Sequence, residues 1–238
     1  MKRTKSLERY FYALDYEKQI KSKLTSKQFA VYTYLLSISK WDAQSKEQHY
    51  YVYFNSFSAK DGAEKCNISQ PTWRTAIKKL LELGFICQGS EEKWYTIPFP
   101  KEYSALNTKL LGTLLQFSAV FSNGGGLAGV YSTLHRYWRS CYNNEKSCTV
   151  TISALINLFG GHRDIVTCKY YEILLHLFNS TGLMKINFNK KKYCGKNYTE
   201  YEILFVENSL PEELENEGYG ADDIKDIVIA IENTIELD

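Results

Sequence analysis

The chain has 238 residues, a length that fits one or two folded domains. Its 29 Lys and Arg against 27 Asp and Glu give a net charge of only +2, but residues 207–238 hold eleven acids against one Lys, so a basic body of net +12 carries an acidic tail of net −10. No apolar run approaches the roughly 18 residues that span a bilayer, and the basic N-terminus lacks the apolar core of a signal peptide; the sequence predicts a cytoplasmic protein without a membrane segment.

Residues 1–23, "MKRTKSLERYFYALDYEKQIKSK", read as a basic arm that seeks phosphates or as a packed leading helix. A first domain is expected over residues 24–103. It opens with "LTSKQFAVYTYLLSIS", where Thr25 and Gln28 have the spacing of a capping box. After the strand-like run "YVYF", Ser58 is placed to cap a short helix over residues 59–65, and Asn67 and Ile68 fill a tight turn. Ser69 then caps a second helix whose first turn accepts Pro71, because the first N–H groups of a helix have no internal acceptor. Its apolar positions Trp73, Ile77, Leu80, Leu81 and Phe85 recur at helical spacing, and Gly84 ends it. The other face carries Gln70, Thr72, Arg74, Lys78 and Lys79, with Glu82 as the one acid. "FICQGSEEKWYTIPF" follows as a hairpin turning at Gln88, Gly89 and Ser90, with Lys93 near its tip. A helix-turn-helix followed by a hairpin is the order of a winged helix.

The same order returns over residues 104–206. "LNTKLLGTLLQFSAVF" and "LAGVYSTLHRYWRSCY" supply leading helices, and "VTISALINLFGGH" a strand, a short helix and a Gly-Gly turn. "VTCKYYEILLHLFNS" is a second amphipathic helix, capped by Asp164 or Thr167, with Ile173, Leu174, Leu177 and Phe178 as its apolar stripe. It ends at Gly182, 98 residues after Gly84. A longer hairpin then carries Lys190, Lys191, Lys192 and Lys196 at its tip. Two halves with one element order predict an α+β, mainly α chain of two tandem winged helix-turn-helix domains. In the acidic tail, residues 207–238, a final amphipathic helix is expected, with Ile224, Ile227, Val228, Ile231 and Ile235 on one face and Asp222 and Asp223 near its positive end. That helix packs on the body, docks a replisome or regulatory partner, or covers the basic face with its acids.

The residues point to binding rather than catalysis. Six cysteines, at 66, 87, 141, 148, 168 and 194, form no C-x-x-C pair and read as buried thiols. A zinc site from Cys141, Cys148, Cys168 or His162 has no ligand spacing behind it, so no metal or other cofactor is expected. None of the four histidines lies two residues from another, which removes the metal motif of rolling-circle nucleases. "GGGLAG", residues 124–129, matches G-x-G-x-x-G but lacks a strand before it, and reads as a loop between helices. No P-loop or nucleophile motif is present. What remains is cations placed on helix faces and hairpin tips, where phosphate contact and counterion release make them useful to double-stranded DNA binding.

With those elements in order, the chain resembles the tandem winged-helix replication initiators of plasmids and phages and, more generally, bacterial winged-helix transcription regulators. The resemblance implies reading of repeated DNA sites by the two domains, or by one of them while the other serves instead to form a homodimer. Carried over by position, it makes Ser69, Gln70, Thr72 and Arg74 of the first recognition helix, and Thr167, Lys169 and Tyr170 of the second, the candidates for base contact. Arg74 suits guanine O6 and N7 and Gln70 suits adenine. Lys78, Lys79, Lys93, Lys190, Lys191, Lys192 and Lys196 are cast as phosphate contacts that set register. Tandem winged helices also serve as protein-interaction scaffolds, which need no basic recognition face.

Overall fold

A computed structural model of the chain describes residues 10–13, 23–41, 49–53, 57–89, 94–98, 104–107, 110, 113–115, 117, 126–145, 148–159, 162–207 and 221–234. The fold is mixed α and β, mainly helical, with small antiparallel sheets. Contacts divide it into unit 1, residues 1–15 and 24–132, and unit 2, residues 16–23 and 133–238. The division falls inside a long helix, and residues 104–132 belong by their contacts to unit 1.

Unit 1 is organised on helix α1 (Ser26–Ile38). The Thr25 hydroxyl accepts the Gln28 N–H at 3.3 Å, and Gln28 Oε1 accepts the Thr25 N–H at 2.9 Å, so the expected capping box is in place. From Phe29 to Ser37 every residue except Tyr34 is buried, so α1 is covered nearly all round. It packs against the helix-turn-helix and against strands β1 (Tyr10–Ala13) and β3 (His49–Tyr53). Here the leading segment departs from the arm-or-helix expectation: Tyr10–Ala13 pair antiparallel with β6 (Ser104–Asn107), Tyr10 opposite Asn107.

The two helices expected to form the helix-turn-helix are α2 (Ala59–Lys65) and α3 (Gln70–Glu82). Ser58 and Asp61 close a second capping box on α2, and Asn67 turns the chain with φ +49. Ser69 caps α3 by accepting the Thr72 N–H at 3.3 Å. At the other end Gly84 N–H reaches the Leu81 carbonyl and Phe85 N–H the Leu80 carbonyl, a Schellman closure that needs the left-handed φ of +72 at Gly84. Trp73, Ala76 and Leu80 are the buried stripe of α3, whereas Ile77, Leu81 and Phe85 are only half-buried; small Ala76 was missing from the expected stripe. The Trp73 ring meets Tyr34 and Phe57 edge-on at 5.8 and 5.7 Å and lies over Gly62. A Cβ on Gly62 would fall 2.5–2.8 Å from three ring atoms. Gly62→Ala is therefore expected to lower unfolding stability by about 1–2 kcal/mol despite its better helix propensity. Thermal or urea unfolding checks this; an unchanged midpoint would mean that the ring shifts without cost. A four-stranded antiparallel sheet completes the unit in the order β2 (Lys40–Trp41), β3, β5 (Trp94–Pro98), β4 (Cys87–Gln88). The expected hairpin is the β4–β5 pair, and β3 closes on its second strand, Val52 opposite Tyr95.

Helix α4 (Gly126–Glu145) crosses the division. Its start corrects one expectation: Gly126 to Gly129 of the glycine-rich run lie in the helix rather than in a loop, because Leu127 and Ala128 are buried and hold that turn against the core. Unit 2 continues with β7 (Cys148–Val150), α5 (Ile152–Phe159), α6 (Ile165–Ser180), the hairpin β8 (Met184–Tyr193) and β9 (Lys196–Val206), and the final helix α7 (Ala221–Thr234). The sheet order is β7, β9, β8, so the first strand again closes on the second strand of the hairpin, as β3 does on β5. Gly182, with φ +70, donates its N–H to the Asn179 carbonyl and ends α6 as Gly84 ends α3.

The hairpin of unit 2 turns at Cys194 and Gly195, both with positive φ, the two-residue turn that matches strand twist. Near its base the register shifts between Lys185 and Ile186, leaving Leu204 as an extra residue on β9. The Leu204 carbonyl accepts Trp138 Nε1–H at 3.0 Å, and Ile186 N–H donates to Asn179 Oδ1 at 2.9 Å, so two side chains satisfy groups at the irregularity.

Candidate nucleic-acid interface

On α3 the buried stripe leaves the opposite side open. Pro71, Arg74, Thr75, Lys78 and Glu82 are all exposed and follow one another at three- and four-residue spacing along one strip. Arg74 and Lys78 make no ion pair with any described residue, whereas Lys79 is held by Glu82 at 3.2 Å. Gln70 is exposed at the start of the strip. Ser69 and Thr72 are differently employed: their hydroxyls bond each other at 2.8 Å and Ser69 caps the helix, so both fix the first turn. Thr75 is the exposed neighbour of Arg74 that sequence reading passed over, although a step of four from Pro71 and three from Lys78 puts it on the strip; its hydroxyl donates to the Pro71 carbonyl at 3.0 Å. Arg74 also borders an apolar cleft of about 340 Å³ with Phe57, Trp73, Ile77 and Tyr95. Lys93 lies outside the described residues.

The corresponding helix of unit 2 is arranged differently. Asp164 caps α6 by accepting the Thr167 N–H at 2.6 Å, and that bond holds its carboxyl below the usual range; of the two residues expected to cap, Asp164 accepts and Thr167 donates. Helix α7 packs on α6. Lys169 reaches Glu232 of α7 at 4.0 Å, and Tyr170 is half-buried, edge-on to Tyr171 at 5.2 Å. On another side His176 stacks on Phe188 of the hairpin at 4.1 Å, and Glu172 accepts the Tyr201 hydroxyl at 3.0 Å. Burial lowers the His176 pKa. Only the first turn of α6 stands clear, with Ile165 and Val166 73% and 79% exposed.

No protein-family model matches the chain, and no curated protein or solved structure is similar to it. The arrangement is therefore read from its own geometry.

The lysine run on the hairpin is divided by the two-residue period of the strand. Lys191 stands opposite Tyr198 and is paired with Glu200 at 2.5 Å, a bond that raises the lysine pKa and lowers that of the carboxyl. Lys190 and Lys192, opposite Thr199 and Asn197, belong to the other face, shared with Phe188 and Tyr201. Both are exposed, as is Lys196 beyond the turn. In α7, Ile224 and Ile231 are buried in the chain's own body, Ile227 and Val228 are half-buried, and Ile229 is 55% exposed; Ile235 lies outside the described residues. The face cast as a partner surface is thus spent largely on α6. Among the described residues no three His, Cys, Asp or Glu side chains gather as a metal site would require, and no helix is long and apolar enough to cross a membrane.

Proposed function

We propose that the chain is a non-catalytic, duplex-DNA-binding protein of two tandem winged helices that initiates replication of a mobile element, plasmid or phage. The observation that carries this reading is the uncovered strip of α3, where Arg74 and Lys78 project from the second helix of a helix-turn-helix without an ion-pair partner among the described residues. A hairpin follows that helix in each unit and closes on the strand before it, which supports the winged-helix assignment. Arg74 is the base reader, because a guanidinium matches guanine O6 and N7 at once, and Lys78, one turn later, is the phosphate contact. Unit 2 adds Lys190, Lys192 and Lys196 of its hairpin rather than α6, whose Lys169 is already paired. Two such units in tandem suit recognition of repeated sites, as an origin presents.

Titration of duplex DNA at two salt concentrations tests the reading. Arg74→Ala is expected to cost about 1–3 kcal/mol on a cognate site and to relax sequence preference, and Lys78→Ala to reduce the salt slope by about 1 on all sequences. If both variants remain folded and bind with wild-type affinity and slope, α3 is not the reader.

A further inference from the structure

We infer that unit 2 holds a binding site for a nucleoside phosphate in the cleft between α5, the first turns of α6 and the tip of the hairpin. The inference concerns single nucleotides and stands apart from duplex reading by α3.

The cleft has a volume of about 590 Å³, within the range of small-ligand pockets. Two cations line it, Arg163 ahead of α6 and Lys196 just past the hairpin turn. Neither has an ion-pair partner among the described residues, while Lys169 and Lys191 elsewhere in the unit are each paired with a glutamate. The one acid on the wall among the described residues, Glu172, accepts the Tyr201 hydroxyl. Two like charges lining one cavity, with no described acid paired to either, favour an anion between them. Thr151 and Ser153 add hydroxyls, and because Thr151 Oγ1 takes the Ala154 N–H at 3.2 Å, the amides of Ile152 and Ser153 ahead of it remain for another acceptor. A phosphate satisfies these donors and neutralises both cations.

A bare phosphate would fill little of this volume. The wall also carries aromatic side chains: Tyr193, 73% exposed at the tip, and Tyr198, whose hydroxyl is anchored to Glu200 at 3.2 Å. Rings of this kind offer a face for a nucleobase. The ligand is therefore a nucleotide, supplied either free or as an unpaired residue of a nucleic-acid strand; α5, α6 and the hairpin wall the cleft too closely to suit a paired duplex.

Cys194 lines the cleft and is exposed, so its alkylation reports occupancy. The full chain is titrated calorimetrically with AMP, adenosine, inorganic phosphate and a short single-stranded oligonucleotide, and Cys194 alkylation is followed by mass spectrometry. AMP is expected to bind and to slow alkylation, adenosine to do neither, and Arg163→Gln with Lys196→Gln to weaken AMP about tenfold or more with unfolding unchanged. Lys185→Gln, on the exposed base of the hairpin, serves as the control that leaves AMP binding intact. Binding of AMP supports a free nucleotide, and binding of the oligonucleotide alone supports a strand residue. No binding of either, or equal binding by the double variant, overturns the site.

Discussion

Ile224→Asp is expected to strip α7 from α6 and to lower the stability of unit 2 by about 4–6 kcal/mol. Ile224 is fully buried and Ile231 nearly so, and each such side chain contributes about 1.5–3 kcal/mol by leaving water. A carboxylate cannot stay unpaired in that position, so the helix undocks rather than bury it. Undocking then forfeits Ile231 and the half-covered Ile227 and Val228 as well, and frees Lys169 from Glu232. Urea unfolding measures the loss, and limited proteolysis should cut ahead of α7 in the variant only. Ile229→Asp is the comparison, since that side chain is 55% exposed on the same helix and its replacement should fall within about 0.5 kcal/mol of wild type. Equal behaviour of the two variants would show that α7 adds nothing to the unit.

Mild acid should weaken unit 2 well before its carboxylates titrate. His135 of α4 is 3% exposed, with Nδ1 lacking a hydrogen-bond partner, and burial, aided by Arg139 one turn on, lowers its pKa to about 4. The unfolded chain takes up the proton below about 6.5 while the folded chain refuses it. Stability from this group is therefore complete above pH 6.5, falls by about 2 kcal/mol at pH 5, and by about 3 kcal/mol near pH 4. His176, whose pKa is also lowered by burial, acts in the same direction. Unfolding followed from pH 7.5 to 4.5 checks the slope. His135→Leu should remove most of it, and a slope that survives the substitution would assign the acid sensitivity elsewhere.

Local chemistry made the helices legible. Thr25, Ser58 and Ser69 before apolar periodic runs, and Gly84 and Gly182 after them, each do in the structure what their residue types favour. Strand β1 was not legible, because "YFYA" acquires its form from Ser104–Asn107, over ninety residues along the chain, and nothing in its own spacing names that partner. The candidate interface divides in the same way. Helical spacing alone placed Arg74 and Lys78 in the open, but the ion pairs that occupy Lys79, Lys169 and Lys191 depend on where Glu82, Glu232 and Glu200 arrive. Amphipathicity announced that α7 would cover something; it carried no indication that the covered element was α6. Arg163 and Lys196 were far apart in the sequence, and only the folding of the hairpin over α6 brings them to one cleft.

The extra residue at Leu204 acts as a phase shift for strand β9 against its partner β8. Along β9 the core receives Val206 at its end and Ile203 and Tyr201 farther in, a change from even to odd that a regular strand cannot make. Without it, either Val206 would turn outward or Ile203, Tyr201 and the rest of β9 toward the tip would swap sides, while β8, which alternates without a break from Met184 and Ile186 to Lys190 and Lys192, would keep its own faces. Trp138 and Asn179, which hold the groups at the irregularity, lie far from the tip in sequence yet help to set which way the charges of β9 point. One residue gained or lost at the root of β9 can thus turn Lys196 and Glu200 to the other face and part Lys191 from its glutamate, with no change to any lysine.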